Sequence, residues 1–319
     1  MKKYVIRRIF QSIPILVGIT VLTFLIIQLA PGSPMETMID PKISPEELQR
    51  AQDNLGMNDP VFMQYFNWLK EIVQGNLGYT VKSGESVAHL IIERLPATLI
   101  LTGSAFVLAF VIGVPFGVYS ATHQYKLPDY LLTVFAFIGI SVPSFFFGLG
   151  MIFIFALQLG WLPASGMETI GGNATGLALF WDYLKHVFMP AIVLALPTVA
   201  VVMRFTRSSM LEVLNQDYIR TAKSKGLGTR VVYLKHALRN ALIPVITIFG
   251  LSIPFLFGGA YITEYIFNWP GMGSLGIQAI EGREYPVIMA LNLFTSVLVM
   301  SGNLIADIMY AWADPRIRY

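Results

Sequence analysis

Charged positions in this chain are bunched, and six long stretches between them hold no Asp, Glu, Lys or Arg: 9–35, 95–125, 130–167, 186–203, 240–263 and 285–306. Each can supply the roughly 20 apolar residues that cross about 30 Å of hydrocarbon as a helix. The pattern therefore predicts an all-α integral membrane protein with six transmembrane helices. The first stretch follows Lys2, Lys3, Arg7 and Arg8 and runs Ile9–Ala30 before Pro31-Gly32. A cleaved signal peptide also opens with a basic region, but its apolar core is only about 7–15 residues long. The longer run here predicts an uncleaved first span.

Composition supports this reading. Hydrophobic residues make up 55% of the 319 positions and charged residues 13%, against about 25% in ordinary globular chains, and the mean hydropathy is +0.62. So few charges cannot cover a soluble surface. If the N-terminus is inside, segments 1–8, 121–129, 204–240 and 311–319 are cytoplasmic, and 31–94, 159–185 and 264–284 lie outside. Fifteen of the 22 Lys and Arg then fall inside, and 14 of the 19 Asp and Glu fall outside. That is the positive-inside distribution, and the inverse orientation violates it. The net charge of +3 comes from this bias, and no nucleic-acid partner is expected.

Candidate chemistry is sparse. There is no cysteine, so thiolate metal sites, disulfides and cysteine nucleophiles are excluded. His89, His123, His186 and His236 show no ligand spacing. No phosphate-binding GxxxxGK[ST] loop and no hydrolase motif occurs. Ionisable residues are nearly missing from the spans, which argues against a proton-driven carrier or a stand-alone secondary transporter. Proline sits in or on five spans, at Pro14, Pro115, Pro143, Pro197 and Pro254. Such a set fits either packing or a bundle that bends around a pathway. Ser141, Pro143, Ser144, Thr198 and Asn292 are the candidates for lining such a route, with Gln28, Thr247 and Ser296 as further neutral polar groups. Each of these side chains has the equal alternative of bonding a neighbouring helix.

Segment 204–240 carries eight basic residues and two acidic ones. Met210, Leu211, Leu214, Tyr218, Ile219 and Ala222 recur at spacings of three and four, which predicts an amphipathic helix of about four turns. Ser208 and Ser209 are placed to cap its start, and Gly226 to stop it. Thr229 then caps a second helix through Val231, Val232, Leu234 and Leu238 toward Pro244. Such an element can lie on the anionic inner leaflet, remain a solvated loop, or dock in a groove on a cytoplasmic partner. The sharp glycine turn favours docking.

Asp217-Tyr218-Ile219-Arg220-Thr221-Ala222-Lys223-Ser224-Lys225-Gly226, followed by His236-Ala237-Leu238-Arg239-Asn240-Ala241-Leu242-Ile243-Pro244, resembles the "EAA" cytoplasmic loop of ABC importer permeases. More narrowly, it is similar to the peptide/nickel branch, which includes oligopeptide and dipeptide permeases. Ala30-Pro31-Gly32-Ser33-Pro34, Arg94-Leu95-Pro96-Ala97-Thr98-Leu99, Glu264-Tyr265-Ile266-Phe267-Asn268-Trp269-Pro270-Gly271-Met272-Gly273, Arg283-Glu284-Tyr285-Pro286 and Asp314-Pro315-Arg316-Ile317-Arg318-Tyr319 agree in order along essentially the whole chain. Arg220 departs from the general loop's glutamate, and Thr221 from its first alanine. The proline after the glycine also lies further along.

The resemblance implies a permease subunit of an ATP-driven, binding-protein-dependent importer of oligopeptides or dipeptides, with nickel or another small solute as the alternative cargo. It implies partners as well: a homologous second permease, two cytoplasmic ABC ATPase subunits, an external solute-binding protein and the surrounding lipid. The chain itself is then no enzyme and holds no cofactor, since ATP and Mg belong to the partner subunits. It further implies that Tyr218, Ala222, Gly226 and Leu227 form the core of the contact with the ATPase. Arg220, Thr221, Lys223, Lys225 and Arg230 lie around that core, and Glu264 and Trp269 are candidate external contacts.

Four parts are expected along the chain. Residues 1–30 are the cytoplasmic start and first span, 31–94 an external helical segment, 95–310 a five-span core and 311–319 a cytoplasmic tail. The external segment has a helix-start signal at Ser44-Pro45-Glu46-Glu47. Leu48, Leu55, Phe62, Tyr65, Phe66, Trp68 and Leu69 are available for a small core of its own. It is expected either to touch the binding protein or only to cover the bundle. Asn173-Ala174-Thr175 matches a glycosylation sequon, without meaning in a bacterial membrane.

Overall fold

The computed structural model describes residues 2–30, 59–172, 175–257 and 260–313. The signals placed at 31–58, among them Ser44-Pro45-Glu46-Glu47, Leu48 and Leu55, lie outside the described residues, as do Asn173-Ala174 and the tail 314–319. Among the described residues helix is the only regular structure, apart from one isolated β-bridge between Tyr79 and Ser86. The helices are α1 (Lys2–Leu29), α2 (Val61–Val73), α3 (Val87–Thr122), α4 (Leu127–Ser141), α5 (Ser144–Met151), α6 (Leu177–Leu214), α7 (Asp217–Ser224), α8 (Thr229–Ala241), α9 (Ile243–Ser252), α10 (Tyr261–Ile266), α11 (Met272–Glu281) and α12 (Tyr285–Ala313). A π-helical stretch, Ile152–Gln158, extends α5, and a second one, Val232–Ala237, lies within α8.

Four unbroken helices among the described residues are long and apolar enough to span a membrane: Ile6–Leu29, Val87–Thr122, Leu177–Leu214 and Tyr285–Asp307. The other two predicted spans are broken. Stretch 130–167 was expected as one crossing, but it bends by 106° between Leu127–Ser141 and Ser144–Gln158. The break falls at Val142-Pro143, where the proline withholds a backbone donor and its ring disfavours α geometry at the preceding residue. Stretch 240–263 begins earlier, in Thr229–Ala241, and bends by 48° into Ile243–Leu256. Bending is therefore local, because Pro14, Pro115 and Pro197 all lie inside continuous helices.

At its centre α3 runs beside α6. Ala97, Leu101, Ala105, Ala109, Gly113, Gly117 and Ala121 are all buried and recur every four residues. Small residues at this spacing let two backbones approach in lipid, where dispersion contacts rather than hydrophobic expulsion hold helices together. A Cβ built on Gly113 would lie 2.9 Å from Val202 Cβ, and one on Gly117 would lie 2.5 Å from Thr206 Cβ and 2.6 Å from the Met203 carbonyl oxygen. Both residue numbers rise together along the contact, from Ala97 beside Val187 and Ala191 to Ala109 beside Val199, so the two helices are parallel. At 36 and 38 residues and 1.5 Å per residue, both exceed the hydrocarbon thickness by roughly 25 Å. The charged ends, with Glu93 and Arg94 on α3 and Arg204, Arg207 and Glu212 on α6, therefore project beyond the hydrocarbon.

The first and last helices also pair. Arg8 Nη2 lies 3.0 Å from Asp307 Oδ2, and Asn292 Nδ2 donates to Thr23 Oγ1. The helix α2 holds the described part of the core expected of the external segment; Leu48 and Leu55 lie outside the described residues. None of its residues is buried, and Phe62 and Phe66 are exposed. Instead it leans on α1, where Tyr65 shares a hydrogen bond of 3.0 Å with Thr20 and packs edge-on against Phe24 at 5.5 Å.

Glycine position should decide stability here. Gly117→Ala, which forces α3 off α6, is expected to cost about 1–3 kcal/mol through overpacking and to lower the melting temperature in detergent. Gly103→Ala on the same helix meets nothing within 4 Å and should leave that temperature unchanged or raised. Equal losses at both positions would refute the close contact.

Candidate functional site

The basic element of segment 204–240 is built differently from the single four-turn helix expected. Ser208 and Ser209 cap nothing, because they lie within α6, which continues unbroken to Leu214. After Asn215 and Gln216 the short helix α7 starts, and its end is a Schellman turn. The Leu227 N–H donates to the Ala222 carbonyl (3.4 Å) and the Gly226 N–H to the Lys223 carbonyl (3.0 Å). Gly226 sits at φ +77°, the left-handed conformation this turn requires and side chains resist. Thr229 is likewise the first residue of α8, with Gly228 before it, and does not serve as its cap.

The stripe on α7 faces inward. Ile219 and Ala222 are buried with Met210 of α6, Ala121 of α3, and Val232, Ala237 and Ala241 of α8. Ala222 thus belongs to the bundle and is not available as a docking contact. Tyr218, Arg220, Thr221, Lys223, Lys225, Gly226, Leu227 and Arg230 are all exposed. Tyr218 is fixed in place by Asn240, whose Nδ2 donates to its hydroxyl at 2.9 Å. Arg220 and Asp217 approach to 3.7 Å, but both are solvent-exposed, and such pairs contribute little. The outward face is therefore basic, with Tyr218 and Leu227 as its apolar contacts.

An ion pair above this element gave no signal in the sequence. Arg207 on α6 donates from Nε and Nη2 to the two oxygens of Asp129, each at 2.8 Å. Asp129, in the first turn of α4, also accepts from Ser120 Oγ and from the Tyr125 N–H at 3.0 Å. Its side chain is 5% exposed. Placed in loops by their charge, the two residues gave no hint of pairing across 78 positions.

The pathway candidates do not converge. Ser141 and Pro143 are exposed and Ser144 half-buried around the α4–α5 break, Thr198 is half-buried on α6, and Asn292 is committed to Thr23. A cavity of about 650 Å³ opens between α1 and α12, and none of the five lines it.

Glu264 and Trp269 also differ from expectation. They are 0% and 1% exposed and face inward, so neither offers an external contact. Trp269 Nε1 donates to the Ala97 carbonyl at 2.8 Å. Thr98 Oγ1 donates to Glu264 Oε1 at 2.9 Å and accepts from the Met272 N–H at 2.8 Å. The Ser274 N–H donates to Glu264 Oε2 at 3.0 Å. The carboxylate therefore caps α11, satisfying donors that a helix start leaves unpaired and meeting the positive end of its dipole. Burial raises the Glu264 carboxyl above its ordinary range, while the donors from Ser274, Thr98 and Gly273 pull it down. Gly271 makes room for this arrangement, since a Cβ there would lie 2.5 Å from Glu264 Cδ and from Thr98 Oγ1. Two separated sequence motifs, around Thr98 and around Glu264, are thus halves of one contact. On the same side, Glu284 accepts the Val81 and Lys82 N–H groups at 2.6 and 3.0 Å.

Comparison with known proteins fits this geometry. Residues 113–319 match the family described as binding-protein-dependent transport system inner membrane component, and residues 1–102 match its N-terminal companion. The chain is 50% identical over 320 residues, covering all of both, to the oligopeptide transport system permease protein AppB of Bacillus subtilis (strain 168). It is 41% identical over 333 residues, again covering all of both, to the dipeptide transport system permease protein DppB of Alkalihalophilus pseudofirmus. It is 38% identical over 319 residues, with full coverage of both, to the glutathione transport system permease protein GsiC of Escherichia coli O6:H1. Among solved structures, an inward-facing MetNI methionine ABC transporter chain matches with a TM-score of 0.50 at 15% identity, covering 69% of this chain and 96% of that one. That likeness shows the fold alone.

The Glu264 cap has a direct test. Glu264→Gln is isosteric but turns an amide N–H toward one of the donors the carboxylate now receives, so a cost of about 1–3 kcal/mol is expected. It should appear as a lower melting temperature of the purified protein. An unchanged melting temperature would show that the cap contributes nothing to stability.

Proposed function

The chain belongs to the family of binding-protein-dependent transport system inner membrane components, and we propose that it is the permease subunit of an ATP-driven importer of short peptides. The observation that carries this reading is full-length identity of 50% to an oligopeptide permease. The cargoes named for the relatives above are oligopeptide, dipeptide and glutathione. All are short peptides, which favours peptide over nickel. The secondary-transporter alternative is disfavoured by the ionisable groups themselves. Asp129 and Glu264 are buried but engaged in hydrogen bonds, so neither is a free carboxylate for a proton relay.

In this reading each bent pair counts as one crossing, giving six spans with both termini cytoplasmic, as the charge distribution requires. The chain pairs with a second permease, and the path lies between the two. An external binding protein delivers the solute, and two cytoplasmic ATPase subunits bind ATP and Mg. Binding and hydrolysis of ATP occur on those subunits, so this chain needs no catalytic residue. Its task is to receive motion and convert it. The α7–Gly226–α8 element is the receiver. Tyr218 and Leu227 supply apolar anchors, and Arg220, Lys223, Lys225 and Arg230 suit a partner groove with an acidic rim. Because packed helices have discrete arrangements, displacement of α7 switches the bundle between inward- and outward-facing forms.

Two measurements test this. Ligand released from the denatured cognate binding protein should prove, by mass spectrometry and metal analysis, to be a mixture of short peptides. A stoichiometric metal would keep the coupling argument and overturn the cargo. Gly226→Val, strained by its φ of +77° although open space surrounds it, should insert and assemble normally but hydrolyse ATP without transport. Normal peptide uptake by that variant would remove α7 from the coupling role.

A further inference from the structure

The pair Asp129–Arg207, its carboxylate buried and its guanidinium partly exposed, lies where the coupling element meets the bundle, and its geometry is more specific than a structural filler needs. A bidentate guanidinium–carboxylate contact fixes angle as well as distance. Asp129 uses its remaining capacity to bind Ser120 Oγ at the end of α3 and the Tyr125 N–H in the α3–α4 turn. Tyr125 stands at φ 62°, an uncommon conformation for a bulky side chain. One carboxylate thus ties together the end of α3, the turn after it, the start of α4 and the inner end of α6.

The elements it ties are those on which α7 rests. Ser120 precedes Ala121, and Arg207 lies three residues before Met210. Ala121 and Met210 are the α3 and α6 members of the cluster that buries Ile219 and Ala222 of α7. A displacement of α7 therefore meets α3 and α6 together, at a point where their ends are already locked. Against α3 and α6 themselves, small-residue contact ensures close packing, but the small helix α7 touches only their tips. Without the pair, nothing polar joins the first turn of α4 to α6 among the described residues.

We propose that Asp129 and Arg207 form a positioning clasp that makes the inner ends of α3, α4 and α6 move as one body when α7 is displaced. The clasp transmits motion and takes no part in solute contact. This rests on the reading of α7 as the coupling element. Breaking the pair should leave the subunit inserted and assembled, since α3 and α6 remain packed along their length. The α3–α4 turn would then lag behind α6, and ATP would be hydrolysed with little solute moved.

The test uses the complete importer reconstituted in proteoliposomes, with spin labels at Lys126 and Glu212, both at the inner ends of the helices concerned. In the wild type the label-to-label distance should hold a single narrow distribution with and without ATP. In Asp129→Asn it should broaden and shift when ATP is added, and peptide uptake per ATP hydrolysed should fall about tenfold or more. Arg207→Lys keeps the charge, loses the bidentate geometry and preserves folding, so an intermediate loss of coupling is expected. The exchanged pair Asp129→Arg with Arg207→Asp should recover part of it.

An Asp129→Asn complex with wild-type distances overturns the clasp. So does a loss of uptake that merely tracks the amount of assembled complex, with uptake per ATP unchanged. Failure of the wild-type complex to move peptide at all would count against the importer reading alone, because the distance measurement judges the clasp without reference to cargo.

Discussion

Two parallel helices that touch through alanine and glycine set the frame to which everything else is attached. In hydrocarbon, water does not push helices together, so association depends on how closely backbones can approach. Gly113 and Gly117 permit that approach, and any side chain there would meet Val202, Thr206 or the Met203 carbonyl. Once α3 and α6 are fixed, their overhanging ends define two platforms. The platform at the start of α3 holds Trp269 and the α10–α11 segment, and the one at its end holds α4, α7 and α8.

Both platforms are secured by buried carboxylates, and the two solve the same problem. A charge removed from water is costly unless its hydrogen-bonding capacity is filled. Glu264 fills it with the start of α11 and with Thr98, and Asp129 with Arg207, Ser120 and a backbone N–H. Each joins elements far apart in sequence, and at Glu264 the glycines Gly271 and Gly273 let the chain come close. Outside these two places cohesion is mainly apolar, and the exposed apolar faces of α1, such as Phe10, Leu22 and Ile26, are suited to lipid or to another membrane subunit.

Much of this was legible in the sequence, and the failures are physically specific. Charge-free runs located the apolar helices because desolvating a charge dominates every other cost there. They could not mark helix ends, since α6 passes through Arg204 and Arg207 without breaking: a helix leaving the membrane has no reason to stop at its surface. The same rule hid the 106° break at Pro143, which lies within one continuous apolar run. Gly226 was readable because only a left-handed residue closes a Schellman turn. The inward orientation of Ala222 was not, because a stripe shows that one face is covered without showing by what. Glu264 and Trp269 were placed in an outer loop by the end of a charge-free run and the charge count, and only the fold brings them against Thr98 and Ala97. The spacing of four from Ala97 to Ala121 was an available signal that periodicity counting for amphipathic helices passes over.

That spacing has a mechanical meaning. Four residues turn an α-helix by about 400°, so a stripe repeating every four advances about 40° around the axis at each step. Over the length of α3 it winds like the lobes on a camshaft. Its first lobes, Ala97 and Leu101, meet Trp269 and Ala260. Its middle lobes bear on α6, and its last, Ala121, meets Ile219 and Ala222. A shaft of this kind has no independent ends: any rotation about its own axis repacks the platforms at its two ends in the same stroke.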